Sequence, residues 1–87
     1  MKASFDLSIY PLHQEFEQPI KDFIRQLRKS KFELIETPLS TQIYGDFTEV
    51  MAWLTNHLDE TFQNQEHCVV TLKILNGDRS SYRPFKD

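Results

Sequence analysis

The chain has 87 residues, of which 39% are hydrophobic and 26% charged, a size and composition that suit one small globular core and disfavour a second. Ten basic residues against thirteen acidic ones give a net charge of −3, which disfavours binding of nucleic acid or anionic lipid through positive charge. The single cysteine, Cys68, excludes an intramolecular disulfide.

The first predicted element is a β-strand over Ala3–Leu12. Apolar residues occupy every second position from Phe5 to Ile9, which is the periodicity of a half-buried strand. Asp6 and Ser8 interrupt this stretch, so it fits neither a secretory signal nor a membrane span. We therefore expect a cytoplasmic protein without membrane insertion.

A helix is predicted to follow, beginning between Glu15 and Pro19, because proline is tolerated in the first turn of a helix. The apolar residues that come next recur at helical spacing and define one buried face. These residues are Ile20, Phe23, Ile24 and Leu27.

Two strands are predicted next, at Phe32–Thr37 and Ser40–Asp46. Only Pro38 and Leu39 separate them. A connection this short between two apolar-leaning runs favours an antiparallel hairpin.

A second helix is predicted to begin at Asp46. Asp46 followed three residues later by Glu49 matches a capping box, and the apolar residues after it keep helical spacing as far as Phe62. The last strand is predicted over His67–Leu75, where the residues alternate between two sides.

The element order is therefore βαββαβ, which predicts an α+β fold, a ferredoxin-like sandwich. In this arrangement a four-stranded antiparallel sheet carries two helices on one face, and its other face stays open. We expect residues 1–76 to form this single domain and residues 77–87 to form a polar C-terminal tail. Alternation places the following residues under the helices: Phe5, Leu7, Ile9, Phe32, Leu34, Ile43, Val70, Leu72 and Ile74.

The open face of the predicted sheet collects tyrosines, hydroxyls, an amide and carboxylates. Its residues are Asp6, Ser8, Tyr10, Glu33, Ile35, Thr37, Ser40, Gln42, Tyr44, His67, Val69, Thr71 and Lys73. Such a face suits a small, flat, partly polar ligand or a wet subunit interface. A cationic heterocycle fits well, because tyrosine rings attract cations and the carboxylate of Asp6 or Glu33 can neutralise the positive charge. These two acids could also meet as a carboxylate pair.

Four segments resemble the YkoF-like family of thiamine- and hydroxymethylpyrimidine-binding proteins, which have ferredoxin-like domains. They are LSIYPL, PIKDFIRQL, STQIYGDFTEVM and VVTLKI. The resemblance implies non-catalytic binding of thiamine or its hydroxymethylpyrimidine portion on the open sheet face, at a subunit interface of a homodimer or homotetramer. It implies no cofactor and no catalytic residue. No metal site is expected either, because the three histidines, His13, His57 and His67, lie on different predicted elements without metal-ligand spacing.

The resemblance also carries a set of ligand-lining residues onto this chain. They are Ser8, Tyr10, Thr37, Ser40, Thr41 and Gln42. Strand alternation and charge add Asp6 and Tyr44 to the same predicted site.

Three other classes of function remain as alternatives. A structural or regulatory homo-oligomeric module with no small ligand would use the open face only for packing. An acylphosphatase-type enzyme is disfavoured because PLHQEFEQ, the stretch after the first strand, has no arginine to hold a phosphate. An RNA-binding sheet is disfavoured by the negative net charge.

Overall fold

The computed structural model describes residues 1–86 and contains the predicted element order. The last residue of the predicted tail, Asp87, lies outside the described residues. The elements are β1 (Lys2–Pro11), α1 (Glu17–Lys29), β2 (Glu33–Glu36), β3 (Thr41–Asp46), α2 (Phe47–Gln63) and β4 (Cys68–Leu75). All three pairings in the four-stranded sheet are antiparallel, which confirms the α+β, ferredoxin-like fold.

The strands lie in the order β2-β3-β1-β4, so β1 is central and β4 is an edge. β1 pairs with β3 only from Lys2 to Leu7, where Leu7 lies opposite Thr41. Its pairing with β4 continues to Pro11. The β1 segment Ser8–Pro11 therefore has a strand neighbour on one side only, and the sheet has a notch beside it.

The core lies between the sheet and the two helices. Phe5, Leu7 and Ile43 supply its sheet side, and each is at most 2% exposed. The rest of the buried apolar cluster consists of Ala3, Phe23, Leu27, Val50 and Leu54. The predicted helix-facing positions are confirmed with one qualification. Ile74 is 44% exposed, because β4 has no neighbour on its outer side.

The start of α2 confirms one half of the predicted capping box. The backbone N–H of Glu49 donates to Asp46 Oδ2 at 3.2 Å, which satisfies one of the free donors at the helix N-terminus. The Glu49 carboxylate does not reach back to Asp46. It lies 2.9 Å from Lys31 Nζ instead, so it links α2 to the segment that precedes β2.

The first residues of the predicted tail are held against β1. Ser4 Oγ donates to the carbonyl oxygen of Gly77 at 2.7 Å and accepts from the backbone N–H of Arg79 at 2.9 Å.

Neither α1 nor α2, the helices of residues 1–86, has the length and apolar character that a membrane crossing requires.

Candidate functional site

The notch in the sheet opens into a groove of about 450 Å³. One wall is the part of β1 that lacks a β3 partner, the second is the β2–β3 turn, and the third is the apolar face of α1. We call this the hairpin groove, and its lining residues are Leu7–Pro11, Phe16, Ile20, Ile24 and Glu36–Thr41. The groove exists because β3 begins at Thr41, too late to pair with the last four residues of β1.

The predicted ligand-lining residues divide between two places. Five of them line the hairpin groove: Ser8, Tyr10, Thr37, Ser40 and Thr41. The remaining three line a shallow depression of about 200 Å³ on the open face of the sheet: Asp6, Gln42 and Tyr44. The two groups are joined by a hydrogen bond of 2.6 Å from Ser40 Oγ to Asp6 Oδ1.

Thr37 organises the turn that forms one wall of the groove. Its hydroxyl accepts from the backbone N–H groups of Leu39, at 3.2 Å, and Ser40, at 3.1 Å, and donates to the Ser40 carbonyl at 2.9 Å. Ser8 Oγ donates to the Leu39 carbonyl at 3.2 Å, which ties the turn to β1. Both hydroxyls therefore give the groove its shape.

Thr41 has a different environment. It lies opposite Leu7 and Glu36, on the side of the sheet that faces the helices, and it is 7% exposed. Within residues 1–86 its hydroxyl forms no hydrogen bond. No side-chain oxygen or nitrogen of these residues is both fully buried and without a partner, so the Thr41 hydroxyl is accessible from the groove and free to bind a ligand there.

Glu36 also lines the groove, and sequence reasoning missed it. Its two carboxylate oxygens accept from Arg28 Nη2 at 2.7 Å and Arg28 Nε at 2.8 Å, a bidentate pair between α1 and β2. The hydrogen bonds from Arg28 lower the pKa of the Glu36 carboxyl, so it stays ionised near neutral pH. A signal was available, because Glu36 comes two positions after Leu34 and alternation puts it on the helix-facing side.

Some polar groups of the open face are hydrogen-bonded to one another. Tyr44 Oη donates to Gln42 Oε1 at 2.7 Å. Burial raises the pKa of the Tyr44 phenol, and the charges of Asp6, Glu33 and Asp78 raise it further. Asp6 lies opposite Gln42 and Glu33 lies opposite Tyr44, so β3 separates the two acids and they are not neighbours across a strand pair.

The groove offers an apolar cleft with hydroxyls and one carboxylate at its β2–β3 side. Tyr10 and Phe16 are about half exposed at its rim, at 50% and 48%. Rings in this position can cover a flat ligand, while Thr41 and Glu36 can accept hydrogen bonds from it. Among residues 1–86, no three His, Cys, Asp or Glu side chains converge in a way that could hold a metal ion.

Comparison with known proteins connects this architecture to a family. The profile of the YKOF-related family matches residues 2–77. A solved structure from Streptococcus pneumoniae is 30% identical, covers 93% of this chain and 92% of its own, and superposes with a TM-score of 0.83. The comparison with curated proteins finds no match.

Two more distant structures share the fold. A candidate thiamine biosynthesis/salvage protein from Thermotoga maritima is 18% identical, covers 85% of this chain and 82% of its own, and has a TM-score of 0.78. A hypothetical protein from Methanocaldococcus jannascii is 20% identical, covers 99% of this chain and 84% of its own, and has a TM-score of 0.74. The profile match over most of the sequence, together with the pneumococcal relative, shows that this chain belongs to the YKOF-related family.

Proposed function

We propose that this protein binds thiamine or its hydroxymethylpyrimidine portion in the hairpin groove and catalyses no reaction on it. The observation that carries the proposal is the groove itself, which has about 450 Å³ and contains five of the predicted ligand-lining residues. Small-molecule sites typically have about 300–1,000 Å³ and combine apolar walls with a few polar groups. Membership of the YKOF-related family and the description of the Thermotoga maritima structure support the same ligand class.

The chemistry of the groove suits an aminopyrimidine. Ile20 and Ile24 give a flat ring an apolar wall, and Tyr10 can cover its other face. The hydroxyl of Thr41 and the carboxylate of Glu36 can accept from the exocyclic amino group, and the same carboxylate is complementary to the thiazolium cation of thiamine.

This placement differs from the centre of the open face. There, Asp6 accepts from Ser40 and Gln42 accepts from Tyr44, and the depression has only about 200 Å³, which is less than a small-molecule site typically has. We assign Asp6 the supporting role of holding Ser40, and with it the β2–β3 turn, beside the groove.

We also propose that a second copy of the chain covers the mouth of the groove, in a homodimer or homotetramer. Tyr10, Phe16 and Leu39 border the groove and are 50%, 48% and 87% exposed. A contact at this rim would bury apolar surface and exclude water from the ligand. No further cofactor is required, and a cytoplasmic location would give access to the free vitamin.

Thermal unfolding with added ligand tests the proposal. Thiamine and hydroxymethylpyrimidine should each raise the unfolding temperature, whereas nicotinamide, a flat control of similar size, should not. A ligand at a hundred times its Kd stabilises the folded state by about 2.7 kcal/mol. An unchanged unfolding temperature at millimolar thiamine and hydroxymethylpyrimidine would leave the ligand-free oligomeric module as the better interpretation.

A pair of threonine variants locates the site. Thr41→Val removes the unpartnered hydroxyl with little change of shape and should weaken ligand binding about tenfold, which corresponds to about 1.4 kcal/mol. Thr71→Val removes an exposed hydroxyl on the open face, opposite Ser8, and should leave binding unchanged. If calorimetry shows the reverse pattern, the ligand lies on the open face and not in the groove.

A further inference from the structure

Glu36 is the one charged side chain among the residues that line the hairpin groove. Its cationic partner, Arg28, belongs to the last turn of α1 and is not part of the lining. The two groups are joined by hydrogen bonds of 2.7 and 2.8 Å. The groove thus presents a carboxylate, while the nearest guanidinium is already engaged.

The geometry of this pair leaves Glu36 able to bind something else. Each carboxylate oxygen has two acceptor positions, and Arg28 occupies one on each oxygen. Glu36 lies opposite Thr41 across the β2–β3 pair, so its carboxylate and the unpartnered Thr41 hydroxyl lie on the same face of the sheet. The side chain of Glu36 is 36% exposed, so water screens its charge only in part.

A phosphate in the groove would have no free cation to pair with. Arg28 is not part of the groove lining and its charge is offset by Glu36, while the Glu36 carboxylate, which does line the groove, would repel a phosphate. A ligand that carries a cationic or a neutral N–H donor would not be repelled by the carboxylate. It could take the free acceptor positions of Glu36 without breaking the ion pair.

We propose that the Glu36–Arg28 pair sets the charge specificity of the hairpin groove, so that it accepts unphosphorylated thiamine and hydroxymethylpyrimidine and rejects their phosphate esters. Glu36 contacts the ligand directly, and Arg28 moderates the charge of Glu36 from outside the groove. This inference rests on the proposed function, because it concerns the charge of the ligand bound in the same groove.

Isothermal titration calorimetry with thiamine, hydroxymethylpyrimidine and thiamine monophosphate tests the proposal. The wild-type protein should bind thiamine more tightly than its monophosphate by up to about fivefold, since a partly screened charge interaction contributes about one kcal/mol or less. Glu36→Gln keeps the shape, removes the carboxylate charge and frees Arg28. The ratio of the two affinities should then fall towards one, while binding of neutral hydroxymethylpyrimidine changes less.

Variants of Arg28 should shift the same ratio in the opposite direction. Arg28→Met leaves Glu36 without its cation, so the preference for thiamine over the monophosphate should increase by about threefold. Arg28→Lys restores a cation at this place and should return the ratio towards the wild-type value. Unfolding in urea, measured for each variant, controls for a general loss of structure.

The outcomes separate this inference from the proposed function. A pair that only holds α1 against β2 would give Glu36→Gln and Arg28→Met the same effect on all three ligands, and that result would overturn the inference while leaving ligand binding intact. An unchanged affinity ratio in Glu36→Gln would also overturn it. If the wild-type protein binds none of the three compounds, both the proposed function and the charge specificity are wrong.

Discussion

The two ends of β3 differ in how closely other residues pack against their helix-facing side. At Gly45 the covering residues are so close that an added Cβ would lie 3.0 Å from Cδ1 of Phe32, in the segment before β2, and 3.1 Å from Cγ2 of Val50, in α2. At Thr41, at the other end of the same six-residue strand, the layer opens into the hairpin groove of about 450 Å³. The opening therefore does not reflect loose packing of the core. It forms where strand pairing stops, and the packed layer beside it can keep the groove in shape without a ligand.

The closed end should be sensitive to a single methyl group. Gly45→Ala should lower the free energy of unfolding by about 1–3 kcal/mol, because the ring of Phe32 and the side chain of Val50 would have to move apart. Urea unfolding followed by the fluorescence of Trp53, which packs 6.5 Å from the Phe32 ring, measures this loss.

The matched control is Gly77→Ala, since an added Cβ at Gly77 meets nothing within 4 Å. This variant should unfold within about 0.5 kcal/mol of the wild type. Equal unfolding free energies for the two alanine variants would contradict the contrast between a closed and an open end.

At the open end, truncation of a side chain should leave the stability of the protein unchanged but weaken its affinity for the ligand. Leu39 lines the groove and is 87% exposed, so Leu39→Ala should leave the unfolding free energy within about 0.5 kcal/mol of the wild type. If a ligand covers about 30 Å² of this side chain, the truncation weakens binding about threefold, which is about 0.75 kcal/mol. Calorimetry with thiamine or hydroxymethylpyrimidine measures the change. Phe85→Ala is the control, because Phe85 is equally exposed and lies in the tail.

A smaller effect is expected from Tyr44, next to the closed end. Burial and nearby carboxylates raise the pKa of its phenol above the ordinary 10.0. Above pH 10 the unfolded chain therefore loses this proton before the folded protein does, and the free energy of unfolding falls as the pH rises from 10.0 towards the folded pKa. Tyr44→Phe should remove this part of the alkaline pH dependence. Urea unfolding at a series of pH values from 9 upward, about one half-unit apart, tests the difference.

Local pattern predicted much of β3 and its surroundings. Ile43 is buried and Gln42 lies on the open face, as alternation indicates, and Asp46 caps α2 as the capping-box pattern predicts. The same pattern did not reveal that Thr41 lines a groove. Alternation states which face of a strand a residue occupies, but it does not state whether a helix covers that face or leaves a groove.

The open face shows a second limit of prediction from the sequence pattern. Strand alternation and charge pointed to Asp6 and Tyr44 as ligand contacts, and the family resemblance pointed to Gln42. In the folded chain, Ser40 donates to Asp6 and Tyr44 donates to Gln42. The number of polar side chains on a face does not reveal which of them have partners, because those partners come from neighbouring strands and turns.

The sequence by itself determined the order of the elements, the two sides of each strand and the start of the second helix. These features depend on the repeat of apolar residues, every two residues in a strand and every 3.6 in a helix, and on a capping pattern whose two residues are three positions apart. They are therefore contained in short segments. Only the tertiary structure decided where the β1–β3 pairing ends, at Leu7 and Thr41, and that Arg28 reaches Glu36. Both depend on how segments distant in the chain are placed against one another, and that placement forms the groove and sets its charge.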